Sequence, residues 1–163
     1  MDFLASLENS GFAIWVRESP SIWAYPSILF LHTIGLGFLV GTSMAIDLRI
    51  LGFARRLPLA PMEGFFPVMW IGFWLNAASG AALVIADATT MLINPVFYVK
   101  MAFIVLSLLS VRLIRSQVFQ DPLFEKRPVQ TTAKLLAAAS LVFWMGAITA
   151  GRLTAYLFAK GGL

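Results

Sequence analysis

Three ionisable side chains lie inside apolar stretches of this 163-residue chain, where a charged group is costly: His32, Lys100 and Arg152. A neutral imidazole can ligate a metal ion, and basic side chains near an aqueous edge can pair with the carboxylates of a bound cofactor. The sequence therefore predicts a cofactor-binding site formed by these three residues, with His32 as its metal ligand.

The elements that must position these residues are membrane-spanning helices. Hydrophobic residues make up 60% of the chain, charged residues 12%, and the mean hydropathy is +0.84, whereas a soluble domain carries about 25% charged residues. Four apolar stretches are long enough to cross a hydrocarbon core of about 30 Å: residues 25–46, 65–86, 96–113 and 133–158. We expect one all-α integral membrane domain over residues 1–163, folded as a four-helix bundle. The chain has no cysteine, which excludes disulfides and thiolate metal sites.

The segment before the first span has an apolar stripe at helical spacing, made by Phe3, Leu4, Leu7, Gly11, Ile14 and Trp15. This pattern predicts an amphipathic helix over residues 2–18 that lies in the membrane interface. A helix packed on the bundle would produce the same stripe.

The charges of the loops predict the orientation. Basic residues occupy the loop after the first span (Arg49, Arg55, Arg56) and the loop after the third (Arg112, Arg115, Lys126, Arg127, Lys134), while the loop between spans two and three has none. By the positive-inside rule the basic loops face the cytoplasm, and both termini lie on the outer, periplasmic side of a bacterial inner membrane. The same placement accounts for the net charge of +4 without nucleic acid as a partner.

This topology brings the three ionisable residues to one level. At 1.5 Å per residue, His32 lies about 10 Å below the outer end of its span, Lys100 about 6 Å and Arg152 about 9 Å. We therefore expect the three side chains to converge in the outer leaflet.

Three ligands suit such a site: haem b, a quinone headgroup and an anionic lipid headgroup. Haem at a single histidine would need a sixth ligand, supplied by Lys100, a methionine such as Met145, water, or His32 of a second copy. Two simpler explanations stay open: Lys100 and Arg152 could snorkel to the interface, and His32 could bond only a backbone carbonyl.

Small residues along the spans predict close helix packing in lipid. Gly37 and Gly41 stand in G-x-x-x-G register, and such faces could join helices of one chain or of two copies. Mid-span Ser43, Asn76 and Ser79 are explained by hydrogen bonds between helices. Core packing, rather than the lining of a flat cofactor, is the favoured role of the mid-span tryptophans Trp70, Trp74 and Trp144.

Two motifs carry a family resemblance: LHTIGLGFLVGTSMAIDLRILG at residues 31–52 and NPVFYVKMAFIVL at residues 94–106. Together they resemble a family of uncharacterised small bacterial inner-membrane proteins with an H…G…DLRLLG first span, over about residues 21–114. More distantly, the chain is similar to the membrane-bound haem-b protoporphyrinogen oxidase family and to the copper-resistance D-type membrane family. The oxidase resemblance implies a functional pair at His32 and Lys100.

These observations predict a small haem-b-binding redox protein that exchanges electrons with quinone, a porphyrinogen or a partner complex near the outer leaflet. The alternative is a cofactor-free accessory subunit of a larger membrane complex, in which His32 only joins helices. A small transporter is the weaker alternative, because no acidic residue is expected within the spans.

Overall fold

The computed structural model describes residues 2–120 and 129–161, without the side chains of Asp2, Ala155 and residues 157–161. In chain order the helices are α1 (Asp2–Glu8), α2 (Gly11–Glu18), α3 (Tyr25–Leu51), α4 (Phe65–Ala86), α5 (Ala88–Ile93), α6 (Pro95–Ile114) and α7 (Thr131–Gly161). The described ranges contain no strand, and four of the helices are long and apolar enough to cross a membrane. The predicted all-α four-helix membrane bundle is confirmed.

Local signals place several helix ends. The Asn94 side chain accepts a hydrogen bond from the backbone N–H of Val96, and Pro95 occupies the first position of α6, where its missing N–H costs nothing. A π-helical turn, Arg115–Phe119, continues α6 into the polar tail of that span. At the end of α3, Gly52 takes a left-handed φ of 106°, a conformation that favours glycine.

The predicted end of the first span at Asp47 is wrong. Helix α3 continues to Leu51, and Asp47 is only 1% exposed. Its side chain is buried within the bundle, next to hydroxyl groups, so this acidic residue does not end the helix.

The bundle consists of two helical hairpins. Helix α4 packs on α3, α7 packs on α6, and the hairpins meet mainly through α3 and α7. The α3–α4 contact is close at Gly35 and Gly72: a Cβ on Gly35 would lie 2.7 Å from the Asn76 backbone nitrogen, and one on Gly72 would lie 2.7 Å from that of Leu39. Small residues do allow close approach here, as predicted.

The G-x-x-x-G pair plays no part in this contact. A Cβ at Gly37 or Gly41 would meet nothing within 4 Å among the described residues, so these glycines face away from the bundle. The tight crossing is made instead by Gly35, at the beginning of the same stretch.

The N-terminal segment forms two helices rather than one. The break falls at Asn9 and Ser10, and the Ser10 side chain caps α2. Ala13 and Val16 are fully buried, and Arg17 Nη1 donates to the Ala86 carbonyl at 3.1 Å. The segment therefore packs on the end of α4, while Phe3 and Trp15 stay exposed where an interfacial helix would meet lipid.

One end of the bundle holds the start of α3 and α6 and the end of α4 and α7. We call it the first end. Four aromatic residues, of the kind that prefers a membrane interface, are exposed there: Trp23, Tyr25, Tyr98 and Tyr156. Which side of the membrane this end faces stays a prediction. Lys126 and Arg127, both used for that prediction, lie outside the described residues.

Candidate functional site at His32

His32 is held against α4 by polar contacts. Its Nδ1 lies 3.1 Å from the Asn76 carbonyl oxygen and 3.1 Å from Ser79 Oγ. The Asn76 amide returns a bond, because its Nδ2 donates to the His32 carbonyl at 2.8 Å. The imidazole is therefore held by two polar groups of α4, and a third bond from the same helix holds the His32 backbone.

These bonds decide the tautomer of the ring. A carbonyl oxygen only accepts, and the Ser79 hydroxyl already donates its single proton to the Leu75 carbonyl at 2.6 Å. Both partners of Nδ1 are therefore acceptors, so Nδ1 carries the proton of the neutral imidazole. The lone pair is then on Nε2, which forms no hydrogen bond with any described residue. Metal-ligating histidines commonly show this arrangement, with one nitrogen bonded to a protein oxygen and the other free for the metal.

A glycine makes room for the ring. A Cβ on Gly80 would lie 3.1 Å from His32 Cε1 and 3.5 Å from Nδ1. Alanine would therefore press on the imidazole, whereas glycine leaves space for it beside the α4 backbone.

Lys100 approaches the same region from the other hairpin. Its side chain crosses α7 at Gly151, where a Cβ would lie 3.7 Å from Cε and 4.0 Å from Nζ of the lysine. The ammonium charge is close enough to act on the His32 imidazole. Both side chains are half-buried, so the structure brings two of the three predicted site residues together.

Arg152 does not join them. Its side chain is exposed and forms no ion pair with the described carboxylates, which suits the snorkelling alternative. Met145, named above as a possible sixth ligand, is 55% exposed, while Met69 is 1% exposed in the core and Met101 is 39% exposed.

The predicted core packing is confirmed for Trp144 and is wrong for Trp70 and Trp74. Trp144 is fully buried in the core, and its Nε1 donates to Ser43 Oγ at 2.9 Å. Trp70 and Trp74 are 43% and 66% exposed, and they stack edge-on with the intervening Phe73.

The predicted hydrogen bonds of Asn76 and Ser79 between helices are confirmed. That these two residues, with Gly80, hold the histidine was not predicted. The sequence feature that could have predicted this role is the depth of these residues in the membrane. Ser79 lies seven residues before the end of α4, and His32 lies seven residues after the start of α3, which places both about 10 Å from the first end.

A second polar cluster lies nearer the other end of α3. Asp47, Ser43 and Ser140 are each at most 1% exposed, and both hydroxyls are close enough to act on the Asp47 carboxyl. Neither carboxylate oxygen has a properly formed hydrogen bond to the described residues, and neither does Ser140 Oγ. The expectation that no acidic residue lies within the spans is therefore wrong for Asp47.

The described residues contain no group of three or more His, Asp or Glu side chains suited to a metal ion. Haem differs from such sites because the porphyrin supplies four ligands and the protein only one or two. Comparison of the chain with protein-family models, curated proteins and solved structures gives no match, so the family resemblance of the sequence stays a prediction.

Proposed function

We propose that the protein is a small haem-b-binding redox protein of the bacterial inner membrane, with His32 as the axial ligand. The observation that supports this proposal is the bonding of the imidazole, which places a proton on Nδ1 and leaves the Nε2 lone pair free. A histidine that served only to join helices would need one ring nitrogen and no second basic group beside it.

The residues around His32 fit a haem ligand. The Asn76 carbonyl and Ser79 fix the ring and raise the basicity of Nε2 by accepting from Nδ1–H. Gly80 supplies the space in which the ring lies. Lys100 brings a second nitrogen donor, or a cation for a propionate, close to the same imidazole.

Bound haem would supply reversible one-electron transfer. The chain would contribute a fixed imidazole and a basic side chain. Quinone, a porphyrinogen or a partner complex at the outer leaflet would be the electron partner. Arg152, exposed near the same level, would pair with a propionate only by turning inward.

The first experiment is an absorption spectrum of the detergent-purified protein, oxidised and dithionite-reduced, after expression with a haem precursor. We expect a Soret band and a reducible α band that His32→Ala abolishes. Thr33→Ala is the matched control, because Thr33 is exposed and bonds only its own helix, at the Leu29 carbonyl. A colourless wild-type protein that copurifies with a membrane complex would replace this proposal with the accessory-subunit alternative.

The role of Lys100 is separated by two variants. Lys100→Arg keeps the charge but lacks a readily deprotonated nitrogen, and Lys100→Met removes the charge. A propionate partner predicts that Lys100→Arg retains the wild-type spectrum and Lys100→Met shifts the midpoint potential. A sixth ligand predicts that Lys100→Arg changes the low-spin bands.

A further inference from the structure

A lateral groove opens between α4 and α6 at the end of the bundle opposite His32. It encloses about 580 Å³, within the range of about 300–1,000 Å³ typical of ligand sites. Its walls are apolar and come from the start of α4 and the second half of α6: Phe66, Met69, Trp70, Val105, Leu108 and Leu109.

The groove follows from the way the helices pair. Because the hairpins meet mainly through α3 and α7, α4 and α6 are left side by side with space between them. Val105 and Leu109 are more than half exposed, so this space opens towards the hydrocarbon of the bilayer.

Basic side chains form the rim of the groove where α6 ends. Arg112 and Arg115 both line it, together with Ser116 and Gln120, and the two arginines are three residues apart, on one helix face. The Arg115 guanidinium lies 5.1 Å from the centre of the Phe66 ring, which holds it over the groove. Neither arginine forms an ion pair with a carboxylate within residues 2–120 and 129–161.

We propose that this groove binds an anionic phospholipid, with an acyl chain between α4 and α6 and the phosphate on Arg112 and Arg115. A long apolar slot with two guanidinium groups at its polar end complements an amphiphile whose head is negative. Guanidinium groups bind phosphate oxygens through paired hydrogen bonds. A neutral quinone would fit the apolar slot but would bring no negative group to the two arginines.

The lipid would belong to the leaflet on the side of the basic loops, which the positive-inside rule assigns to the cytoplasm. Anionic lipids attract basic residues at that surface. This site is separate from His32, so its lipid preference and the haem spectrum are independent measurements.

The test is native mass spectrometry of the full chain with phosphatidylglycerol and phosphatidylcholine of identical acyl chains. We expect a retained phosphatidylglycerol adduct, at least tenfold more abundant than the phosphatidylcholine adduct. The double variant Arg112→Gln/Arg115→Gln should lose this preference. The matched control is Arg55→Gln/Arg56→Gln, which removes two exposed charges from the other basic loop and should keep it. Equal adducts of both lipids, or equal loss in both double variants, would overturn the proposal.

A second variant tests the apolar part of the site without changing charge. Leu109→Trp fills the slot from a position that is 52% exposed, so the bundle should still fold. It should reduce the phosphatidylglycerol adduct severalfold, and inorganic phosphate should fail to displace the lipid from the wild-type protein. An adduct unchanged by Leu109→Trp would show that the slot holds no acyl chain, and displacement by inorganic phosphate would show that the arginines bind any phosphate. Either result would overturn the proposal.

Discussion

Helix α3 carries two polar clusters that differ in how completely they are bonded. Near its first end, His32 faces α4, and its Nδ1 and backbone carbonyl both have partners. Near its other end, Asp47 lies with Ser140 of α7, and three buried oxygens of this pair lack a properly formed bond among the described residues.

The difference teaches that these clusters serve different purposes. A bonded imidazole with one free lone pair is a preorganised ligand. A buried carboxyl without a cation is a cost to stability unless it is neutral or has a further partner. Substitutions at and around these clusters should differ in their effects, from the largest at Gly72 to the smallest at Glu8.

Gly72→Ala should have the largest effect, because the new Cβ would lie 2.7 Å from the Leu39 backbone nitrogen. Backbone cannot move aside as a flexible side chain does, so we expect a loss of about 2–3 kcal/mol in the free energy of unfolding. The α3–α4 crossing also sets the bonds of His32, so haem binding should fall with it. Thermal unfolding in detergent measures the first effect, with Gly41→Ala, which meets nothing within 4 Å, as the control. Equal destabilisation by both variants would contradict the assigned crossing.

Gly80→Ala should act on the His32 cluster alone. Its Cβ would lie 3.1 Å from His32 Cε1, so the ring must shift by a few tenths of an ångström and its Nδ1 bonds must lengthen. Altered support of a metal-ligating histidine typically costs about 10–100-fold in affinity, and haem titration should show a loss of that order. Gly151→Ala is the control, because its Cβ would make an ordinary 3.7 Å contact with Lys100. Unchanged haem affinity in Gly80→Ala would show that the ring position does not matter for binding.

Asp47→Asn tests the second cluster. The amide keeps the shape of the carboxyl and removes its charge, and no described cation pairs with that charge. We therefore expect the free energy of unfolding to stay equal or to rise by about 1 kcal/mol. The measurement is thermal unfolding, with Ser43→Ala as the comparison, because it leaves the buried Trp144 N–H without an acceptor and should destabilise. A fall of more than about 2 kcal/mol in Asp47→Asn would mean that the carboxylate has a tightly bound partner.

Glu8→Gln should have the smallest effect, at the first end of the bundle. Hydrogen bonds from the hydroxyl and the backbone N–H of Thr89, with the nearby charge of Arg17, lower the pKa of Glu8 below its ordinary value. A lowered pKa in the folded state adds stability above the pKa of the unfolded chain, about 4.3, and this is lost as the pH falls through the folded value. We expect Glu8→Gln to destabilise by less than about 1 kcal/mol at pH 7 and by less still at pH 4.

Thermal midpoints at both pH values measure this effect. Glu63→Gln, an exposed substitution of the same charge at the other end of the bundle, is the control. A difference between wild type and Glu8→Gln that grows on acidification would contradict the assigned bonds.

Much of this architecture could be predicted from the sequence because its determinants are local. Span length, the Asn94–Pro95 helix start and the approximate depth of His32 and Lys100 all depend on residues close together in the chain. The contact of His32 with Asn76 and Ser79 of α4 could have been predicted in the same way, since Ser79 and His32 each lie seven residues from adjacent helix ends.

The rotation of each helix could not be predicted in the same way. In lipid the outward and inward faces of a span are both apolar, so the pattern that separates core from surface in a soluble helix is missing. The sequence alone determined four spans and an ionisable residue in three of them. Only the tertiary structure decided that Gly35 rather than Gly37 meets α4, that Asp47 is buried and Arg152 exposed, and that His32 presents a free Nε2. These outcomes depend on which helix faces pack together.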